Sequence, residues 1–456
     1  MDLNGKNILV MGLGISGIST IRALDRLGAH ISISDSKTEN ELGEILDRVS
    51  DIALEKFLGK EELNLSRIDL IVKSPGIPLS NKTIEEAIER KIPITNDIEI
   101  GSLLSKSKNI IAITGTNGKT TTTTLTGEIF KNEGLNAFIG GNIGKSVIQE
   151  MIDAKVGDVF ILETSSFQLE NTLNFKPKIS LIINITPDHL DWHGSFENYI
   201  ESKKKIFKNQ DKSDFTILNY DDPLLKTFES EVHSNIIYFS VKEKLERGVF
   251  IEDGNIVIKL DKTRIGLLPI DQLLLKGKHN LENVLGSVAI SFVNGVKIET
   301  IRDTILSFKG VEHRLEFVEE KNGRKFFNDS KGTNTDSSIK AIEAIEENIV
   351  LIAGGYDKRI EFDEFIKSFK NRVKSLVLLG QTSQQIKETA LAYGFKEIFL
   401  AGDMKEAVNL AYKLSKSGDN ILLSPACASW GMFKNFEERG KVFKSIVASL
   451  GDDGIE

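Results

Sequence analysis

The sequence predicts an α/β fold organised as three domains. Three segments share the same succession of a short apolar, β-branched run, a glycine-rich turn and a helix-like stretch, and their runs cover residues 7–11, 109–114 and 348–353. Short apolar runs are typical of buried parallel strands, and crossover helices follow such strands. Three such starts spread over 456 residues indicate three α/β units rather than one long sheet.

Composition and charge limit the classes of protein to consider. Lys and Arg total 58 and Asp and Glu total 66, which gives a formal net charge of -8. This acidic balance disfavours binding to nucleic acid or to a membrane surface, since both need a basic face. Cys427 is the only cysteine, which excludes an intramolecular disulfide and a cysteine-based zinc site. With no apolar signal core and no run of about 18 apolar residues, we expect a cytoplasmic protein that does not span a membrane.

Boundaries between the three domains follow from the ends of the predicted units. The predicted domains cover residues 1–97, 98–310 and 311–456. In the middle domain, residues 236–275 alternate between apolar and polar side chains as antiparallel strands do. We therefore expect a small extra β-subsheet there, with strands at 249–251, 255–260 and 263–267.

The first glycine turn, residues 12–17, is a complete G-x-G-x-x-G after a strand, and Asp35 ends the next predicted strand. Glycines allow a diphosphate to approach the N-terminus of the following helix, and an acidic residue about 20 positions later commonly meets a ribose. Three interpretations stay open: a dinucleotide site, a site for another nucleotide diphosphate, and a tight turn without a ligand.

The second glycine turn, residues 115–120, is similar to a phosphate-binding loop. It departs from the strict G-x-x-x-x-G-K-[ST] pattern, because the first glycine stands at 115 and position 113 is Ile. Lys119 can still neutralise phosphate oxygens, and the Thr120 hydroxyl can reach Mg²⁺. A dehydrogenase needs only the first turn and a simple kinase only the second. An enzyme that uses ATP on a nucleotide-linked substrate needs both.

Candidate metal ligands follow two further apolar runs. Glu163 comes after the run 159–162, where a carboxylate near a phosphate loop is well placed to hold Mg²⁺. His189 follows another run and stands beside Asp188 and Asp191. The structural alternatives are a helix N-cap for the segment that starts at Glu163 and an ordinary surface or core histidine for His189.

The third unit contains three polar loops, each directly after an apolar run. They cover residues 328–334, 354–358 and 424–430. Ligands of open α/β sheets bind at the carboxyl ends of the strands. We therefore expect these loops to lie close together and to form a binding site, although each alone could be a structural turn.

Taken in order, residues 115–120, 163–168, 188–189, 279–280, 329–334 and 354–358 resemble the signatures of the Mur ligase family. These are the ATP-dependent amide ligases of peptidoglycan precursor synthesis, and the resemblance covers essentially the whole chain. The turn at 12–17 with Asp35-Ser36 and Ser74-Pro75-Gly76, and the run 424–440, are similar to the branch that adds D-glutamate to UDP-N-acetylmuramoyl-L-alanine. The resemblance implies a Rossmann-like first domain, a central P-loop ATPase-like domain and a Rossmann-like third domain.

The same resemblance implies roles for individual residues. The UDP-linked substrate, rather than NAD, would be bound by Gly14, Ile15, Ser16, Asp35, Ser36, Ser74 and Asn142. ATP would be bound by Gly115, Thr116, Asn117, Gly118, Lys119, Thr120, Thr121, Asn283, Arg314 and Asp329. D-glutamate would be bound by Lys331, Thr333, Lys358, Ser429 and Phe436.

The catalytic residues implied by the resemblance are Lys119, Glu163, His189 and Lys203. Two Mg²⁺ ions are implied, with Thr120, Glu163, His189 and a carbamylated Lys203 as ligands. Lys203 stands in a run of three lysines, 203–205, so the carbamylated position depends on the register of the match. An acyl phosphate intermediate and a monomer are expected.

Three competing functions stay open from the sequence. Another amide ligase of the same superfamily, such as folylpolyglutamate synthase, is disfavoured by the G-x-G-x-x-G first domain. An NAD-dependent oxidoreductase would use residues 12–17 and Asp35 but leaves residues 115–120 unexplained. A nucleotide-sensing protein would bind ATP and a UDP-sugar without forming a product.

Overall fold

The computed structural model describes residues 2–59, 63–143, 146–275, 277–345, 347–357 and 360–450. The chain divides into two compact units, Met1–Phe308 and Lys309–Glu456, and each is described by itself. Three sheets, two in the first unit and one in the second, confirm the predicted three-domain α/β class. Among the described residues, no helix has both the length and the apolar content needed to cross a membrane.

The first sheet contains five parallel strands in the order β3-β2-β1-β4-β5. Its strands are β1 (Asn7–Met11), β2 (His30–Asp35), β3 (Leu54–Leu58), β4 (Leu70–Lys73) and β5 (Ile94–Thr95). Its helices are α1 (Ile15–Arg26), α2 (Gly43–Asp47), α3 (Lys82–Glu89) and α4 (Asp97–Leu104). Because β1 is central and parallel to both neighbours, its carboxyl end opens between the ends of β2 and β4, where ligands of such sheets bind.

The second sheet contains nine strands in the order β14-β13-β12-β11-β10-β9-β6-β8-β7. Its strands are β6 (Ile110–Thr114), β7 (Ala137–Gly141), β8 (Val159–Glu163), β9 (Ile179–Ile182), β10 (Phe215–Asn219), β11 (Asn235–Ser240), β12 (Gly248–Glu252), β13 (Asn255–Leu260) and β14 (Thr263–Pro269). Its helices are α5 (Lys119–Asn132), α6 (Ile148–Ile152), α7 (Ser166–Leu169), α8 (Leu190–His193), α9 (Phe196–Lys204), α10 (Pro223–Lys226), α11 (Lys278–Val293) and α12 (Ile298–Ser307). Every residue of β6 and β8 is buried, as strands covered by helices on both faces require.

The predicted antiparallel strands of the middle domain are present as β12, β13 and β14. They are not separate from the main sheet, since β12 pairs in parallel with β11 through Tyr238 and Gly248. The three strands therefore extend the large sheet at one edge. The last of them continues to Pro269, two residues beyond the predicted end.

The third sheet contains six strands in the order β15-β16-β20-β17-β18-β19. Its strands are β15 (Glu316–Lys321), β16 (Arg324–Asn328), β17 (Ile349–Ala353), β18 (Val373–Leu378), β19 (Ile398–Leu400) and β20 (Asn420–Leu423). Its helices are α13 (Thr335–Ala344), α14 (Asp363–Lys367), α15 (Ser383–Ala392), α16 (Met404–Leu414) and α17 (Phe436–Ser449). Only β15 is antiparallel to its neighbour, so β16, β20 and β17 end at one edge, where the three predicted polar loops begin.

Candidate active site

The first glycine turn joins β1 to α1 and packs closely against the loop after β4. Gly12 has a φ of +88°, and a Cβ at this position would lie 2.7 Å from the Cβ of Ser74. The backbone N–H of Leu13 donates a 2.8 Å hydrogen bond to Oδ2 of Asp35. The structure thus brings the predicted residues Ser74 and Asp35 to the same turn, while Ile15 is exposed at the start of α1.

The phosphate loop (residues 115–120) joins β6 to α5. Gly118 has a φ of +83°, and a Cβ there would lie only 2.1 Å from Oδ1 of Asn283 on α11. Asn283 is buried and also accepts a 3.2 Å hydrogen bond from the Thr122 hydroxyl. The loop therefore needs glycine at 118 both for its backbone conformation and for the close approach of α11.

Lys119 turns its side chain back over the phosphate loop. Its Nζ donates 2.9 Å hydrogen bonds to the carbonyl oxygens of Gly115 and Thr116. A positive charge therefore lies at the N-terminus of α5, where the helix dipole also favours an anion. Thr120, the other predicted phosphate-loop ligand of this helix, is buried in its first turn.

Asn184 braces the phosphate loop from the loop that follows β9. Its Oδ1 accepts hydrogen bonds from the backbone N–H groups of Thr116, at 3.1 Å, and Asn117, at 2.9 Å. No motif in the sequence pointed to this residue, because the pattern of the phosphate loop contains no signal from a segment 67 residues away. The backbone N–H groups of Thr116 and Asn117 are thus engaged by the protein in this structure.

Glu163 ends β8 and is 2% exposed. Its Oε1 accepts a 2.9 Å hydrogen bond from the side-chain amide of Asn142, which follows β7. Its Oε2 is buried and has no hydrogen-bond partner among the residues that the structure describes. A buried carboxylate oxygen without a donor is costly, so this atom is well suited to receive a cation.

Lys203 is the member of the lysine run that reaches the phosphate loop. Its Nζ donates to the carbonyl oxygen of Gly115 at 3.0 Å and to the Thr114 hydroxyl at 3.3 Å. Burial and the nearby charge of Lys119 lower the pKa of Lys203 well below its usual value. Lys204 instead pairs with Glu201 and Glu231.

Lys205 points away from the phosphate loop as well, since its Nζ donates to the carbonyl oxygen of Glu170 at 2.5 Å. The three neighbouring lysines therefore occupy three different environments. Of them, only Lys203 lies beside the loop.

His189 stands directly before α8 with a φ of +51°. Its side chain is 48% exposed, its Nε2 lies 3.7 Å from Oδ2 of Asp188, and its ring packs against Phe167 with centroids 4.8 Å apart. The neighbouring His193 differs, because its buried ring lies within 3.0 Å of the Ser166 hydroxyl and stacks on Phe167. His193 is therefore a core residue, whereas His189 presents an accessible imidazole.

In the second unit, Asp329 follows β16 in a buried position. Ser424 donates a 2.7 Å hydrogen bond to its Oδ2, and the backbone N–H of Leu315 donates a 3.2 Å hydrogen bond to its Oδ1. Burial raises the pKa of Asp329 to about 7, although the charge of Arg314 acts in the opposite direction. The predicted residues Asp329 and Arg314 thus interact electrostatically within this unit.

In the second unit, Arg439 joins the loop that carries Lys331 to the loop that carries Ser429. Its guanidinium donates to the hydroxyl of Ser330 at 3.0 Å and to the carbonyl oxygen of Cys427 at 3.0 Å, and burial lowers its pKa to about 10. The Ser330 hydroxyl in turn donates to the carbonyl oxygen of Phe436 at 2.8 Å. Arg439 is a structural residue of this site that the sequence analysis did not single out.

Four of the five predicted D-glutamate residues belong to the described chain. Lys331 Nζ lies 6.0 Å from the centre of the Phe436 ring, Thr333 follows on the same loop, and Ser429 is buried near the carboxyl end of β20. Lys358, the fifth, lies outside the described residues. In the first unit, Ser36, which is predicted to bind the UDP-linked substrate, is exposed directly after β2.

A glycine-rich phosphate loop with a lysine, next to a buried carboxylate, defines the class of α/β proteins that bind and use nucleoside triphosphates. Three family models cover most of the chain. The Mur ligase MurD-like N-terminal domain matches residues 6–96, the Mur ligase middle domain residues 113–291, and the Mur ligase glutamate ligase domain residues 313–427. The chain belongs to the Mur ligase family.

Relatives that are similar over their full length indicate which members of the family this chain resembles. A protein from Thermoanaerobacter pseudethanolicus named UDP-N-acetylmuramoylalanine–D-glutamate ligase is 48% identical, with 99% of this chain and 100% of the relative covered. A protein of the same name from Clostridioides difficile is 47% identical over 99% of this chain and all of the relative. Among solved structures, UDP-N-acetylmuramate–alanine ligase from Thermotoga maritima is 19% identical, covers 97% of this chain and 99% of its own, and has a TM-score of 0.57, which shows a shared fold.

Proposed function

We propose that this protein joins D-glutamate to the alanyl carboxylate of UDP-N-acetylmuramoyl-L-alanine, with ATP converted to ADP and phosphate, in peptidoglycan precursor synthesis. The observation that carries the proposal is the full-length similarity, at 48% identity, to relatives named for this activity. The phosphate loop and the buried Glu163 supply the machinery that an ATP-dependent ligase requires.

A carboxylate does not condense with an amine at neutral pH, because its carbonyl carbon is a poor electrophile. In the first step, an oxygen of the alanyl carboxylate bonds to the γ-phosphorus of ATP, and the bond from that phosphorus to ADP breaks. In the second, the neutral amine of D-glutamate attacks the acyl phosphate. The tetrahedral intermediate then loses phosphate and the amine proton to leave the amide.

Lys119 and the N-terminus of α5 offset the repulsion between the two anions of the first step. The Lys119 ammonium is already held at the loop by the carbonyl oxygens of Gly115 and Thr116. A charge positioned before the reaction stabilises the transition state without a cost for reorganisation. We propose that Gly115–Gly118 and Thr121 line the ATP phosphates, while Asn283, which packs on Gly118, lies toward the adenine.

The residues around Glu163 suit magnesium. Oε2 of Glu163, which has no hydrogen-bond partner in the described part of the chain, would hold one ion together with the Thr120 hydroxyl, and His189 with carbamylated Lys203 would hold a second. Bound Mg²⁺ neutralises charge on phosphate and carboxylate oxygens. Within the described part of the chain, no three His, Cys, Asp or Glu side chains gather into a metal site by themselves. Mg²⁺ commonly takes most of its ligands from phosphates and water, so a protein contribution of this size is sufficient.

Lys203 would serve as a metal ligand after it reacts with carbon dioxide. The neutral amine adds to the carbon of CO₂, an N–C bond forms, and one proton leaves to solvent. The product is an anionic carbamate, which would replace a cation beside the loop by oxygen ligands. The position of Lys203, within hydrogen-bond distance of the Gly115 carbonyl oxygen, supports this assignment over Lys204 and Lys205.

We propose one substrate for each predicted domain. Residues 1–97 would bind the UDP-linked substrate through Gly14, Ile15, Ser16, Asp35, Ser36 and Ser74, with Asn142 of the middle domain near the muramoyl group. Residues 98–310 would bind ATP, whose adenine and ribose would also meet Arg314 and Asp329. Residues 311–456 would bind D-glutamate through Lys331, Thr333, Lys358, Ser429 and Phe436.

The proposal is tested by the release of phosphate from ATP in the presence of UDP-N-acetylmuramoyl-L-alanine. We expect release that requires D-glutamate and fails with L-glutamate, together with a product whose mass equals the sum of both substrates less one water. Equal rates with either isomer, or with no amino acid, contradict the proposed substrate. Reduction of NAD by the purified chain would support the oxidoreductase alternative instead.

A further inference from the structure

Asp97 is a buried carboxylate outside the proposed catalytic site. It is the first residue of α4 and 6% exposed. Its Oδ2 accepts a 2.9 Å hydrogen bond from the Ser146 hydroxyl, and its Oδ1 accepts one from the backbone N–H of Ile98 at 3.1 Å. Ser16 lines the same small cavity as Asp97; burial raises the pKa of Asp97, and the hydroxyls of Ser146 and Ser16 act against this rise.

The two serines belong to different substrate-binding loops. Ser16 is the second residue of α1, inside the glycine turn proposed to hold the UDP diphosphate. Ser146 stands four residues after Asn142 in the sequence, and the side chain of Asn142 holds Glu163. The Asp97 carboxylate thus lies between Ser146 and the turn proposed to hold the nucleotide end of the substrate.

Further contacts hold α1 against α6. The side-chain amide of Gln149 donates to the carbonyl oxygen of Ser19 at 2.9 Å, and Arg26 pairs with both Gln149 and Asp153. Arg26 and Asp153 are about half exposed, so their ion pair at the outer end of the interface contributes little to stability. Asp97 forms the buried end, where a lost hydrogen bond is costly.

The cavity beside Asp97 is too small for a substrate group. It is lined by Ser16, Thr20, Lys73 and Ser74, among others, and has a volume of about 10 Å³. This is room for about one water molecule. Any effect of Asp97 on a substrate therefore passes through the residues that it holds, which makes it a positioning residue rather than a catalytic one.

We infer that Asp97 positions the UDP-linked substrate by fixing Ser16 of the diphosphate turn relative to Ser146. The inference rests on the proposed function. It predicts that loss of Asp97 weakens the binding of the UDP end of the substrate and leaves ATP binding unchanged. Loss of a residue that only stabilises the fold would not weaken UDP binding while leaving ATP binding unchanged.

The test measures the dissociation constant of UDP by calorimetry, and the KM values for UDP-N-acetylmuramoyl-L-alanine and ATP. For Asp97→Ala we expect the UDP dissociation constant and the KM of the UDP-linked substrate to rise about tenfold, with the KM for ATP within about twofold. Asp97→Asn should restore most of the affinity, because its side-chain amide still bonds the two hydroxyls, which can donate or accept.

Asp153→Ala is the matched control, since it removes a carboxylate from the exposed end of the same interface. We expect unchanged UDP affinity in this variant. If Asp97→Ala does not fold, Ser146→Ala removes one donor from the intact carboxylate and should weaken UDP binding about threefold.

Two results would overturn the inference: UDP affinity in Asp97→Ala equal to that of the wild type, or equal losses in Asp97→Ala and Asp97→Asn. A wild-type chain that neither binds UDP nor forms product would remove the proposed function and this inference together. Unchanged affinity in Asp97→Ala, with an active wild type, would remove the inference alone.

Discussion

The side-chain amide of Asn142 holds Glu163 by a 2.9 Å hydrogen bond to Oε1, and the other carboxylate oxygen is left buried without a partner in the described chain. The carboxylate is therefore oriented on one side and open to a cation on the other. In the proposed metal site, the oxygen that sets the orientation of the carboxylate would differ from the oxygen that binds the ion.

Replacing Glu163 by Gln should remove metal-dependent activity without unfolding the protein. The substituted amide would keep an oxygen that accepts from Asn142 but would lose the anionic charge, so we expect phosphate release to fall about 100-fold or more. The matched control is Glu246→Gln, which removes an exposed carboxylate paired with Lys259 and should retain activity. Full activity in Glu163→Gln would contradict the proposed metal site.

The lysine run offers an internal comparison for the carbamate. Lys203→Ala should lose phosphate release about 100-fold or more, and added bicarbonate with short carboxylates should partly restore it, because a free anion can occupy the emptied space. Lys204→Ala should stay active, since Lys204 pairs with Glu201 and Glu231 rather than with the phosphate loop. A carbon-13 carbamate signal from the wild type, lost in Lys203→Ala alone, would identify the site independently of activity.

Two glycines at opposite ends of α5 allow a test of the close approach to Asn283. Gly118 and Gly134 have nearly equal φ values, +83° and +84°, but a Cβ meets Asn283 only at 118 and has open space at 134. Both substitutions by Ala should cost about 1 kcal/mol of stability through backbone strain. Only Gly118→Ala should also raise the KM for ATP, by about tenfold or more. Equal KM values for ATP in the two variants would mean that ATP binding does not depend on the close packing of Gly118 against Asn283 of α11.

Asp329 should make stability depend on pH. Its folded pKa of about 7 exceeds an unfolded value near 3.9, so the folded state holds the proton more tightly. The resulting stability is fully present below about pH 4, is lost as the pH rises toward 7, and changes no further above it; each pKa unit is worth about 1.4 kcal/mol. Melting temperatures without nucleotide should therefore show wild type losing stability relative to Asp329→Asn between about pH 4 and pH 7. Parallel curves for the two proteins would contradict the raised pKa.

The strand–turn–helix starts could be predicted because they depend on local sequence. Buried strands and glycine turns leave a pattern in neighbouring residues, and the first predicted run coincides with β1. The strand of the third start begins one residue later than predicted, because Asn348 has a φ of +57° and belongs to the turn before β17.

Contacts that support the site could not be predicted in the same way. Asn184, Asp97 and Arg439 act on loops that lie far away in the sequence, and no spacing rule connects them to those loops. Which side chain crosses from one strand end to another depends on strand order. In the large sheet, β6 lies between β9 and β8 and not beside β7, the next strand along the chain. This order is a property of the folded sheet and leaves no trace in residue spacing.

The chain has one thiol, and it is enclosed in the third domain. Cys427 is 0% exposed, and its sulfur lies 3.3 Å from the Thr382 hydroxyl. A thiol reagent therefore reacts only when this part of the protein opens, and no other sulfhydryl contributes to the signal. The rate of labelling of Cys427 therefore measures how often that part of the protein opens. If added D-glutamate slows the labelling, the native thiol reports binding at the proposed D-glutamate site without any engineered probe.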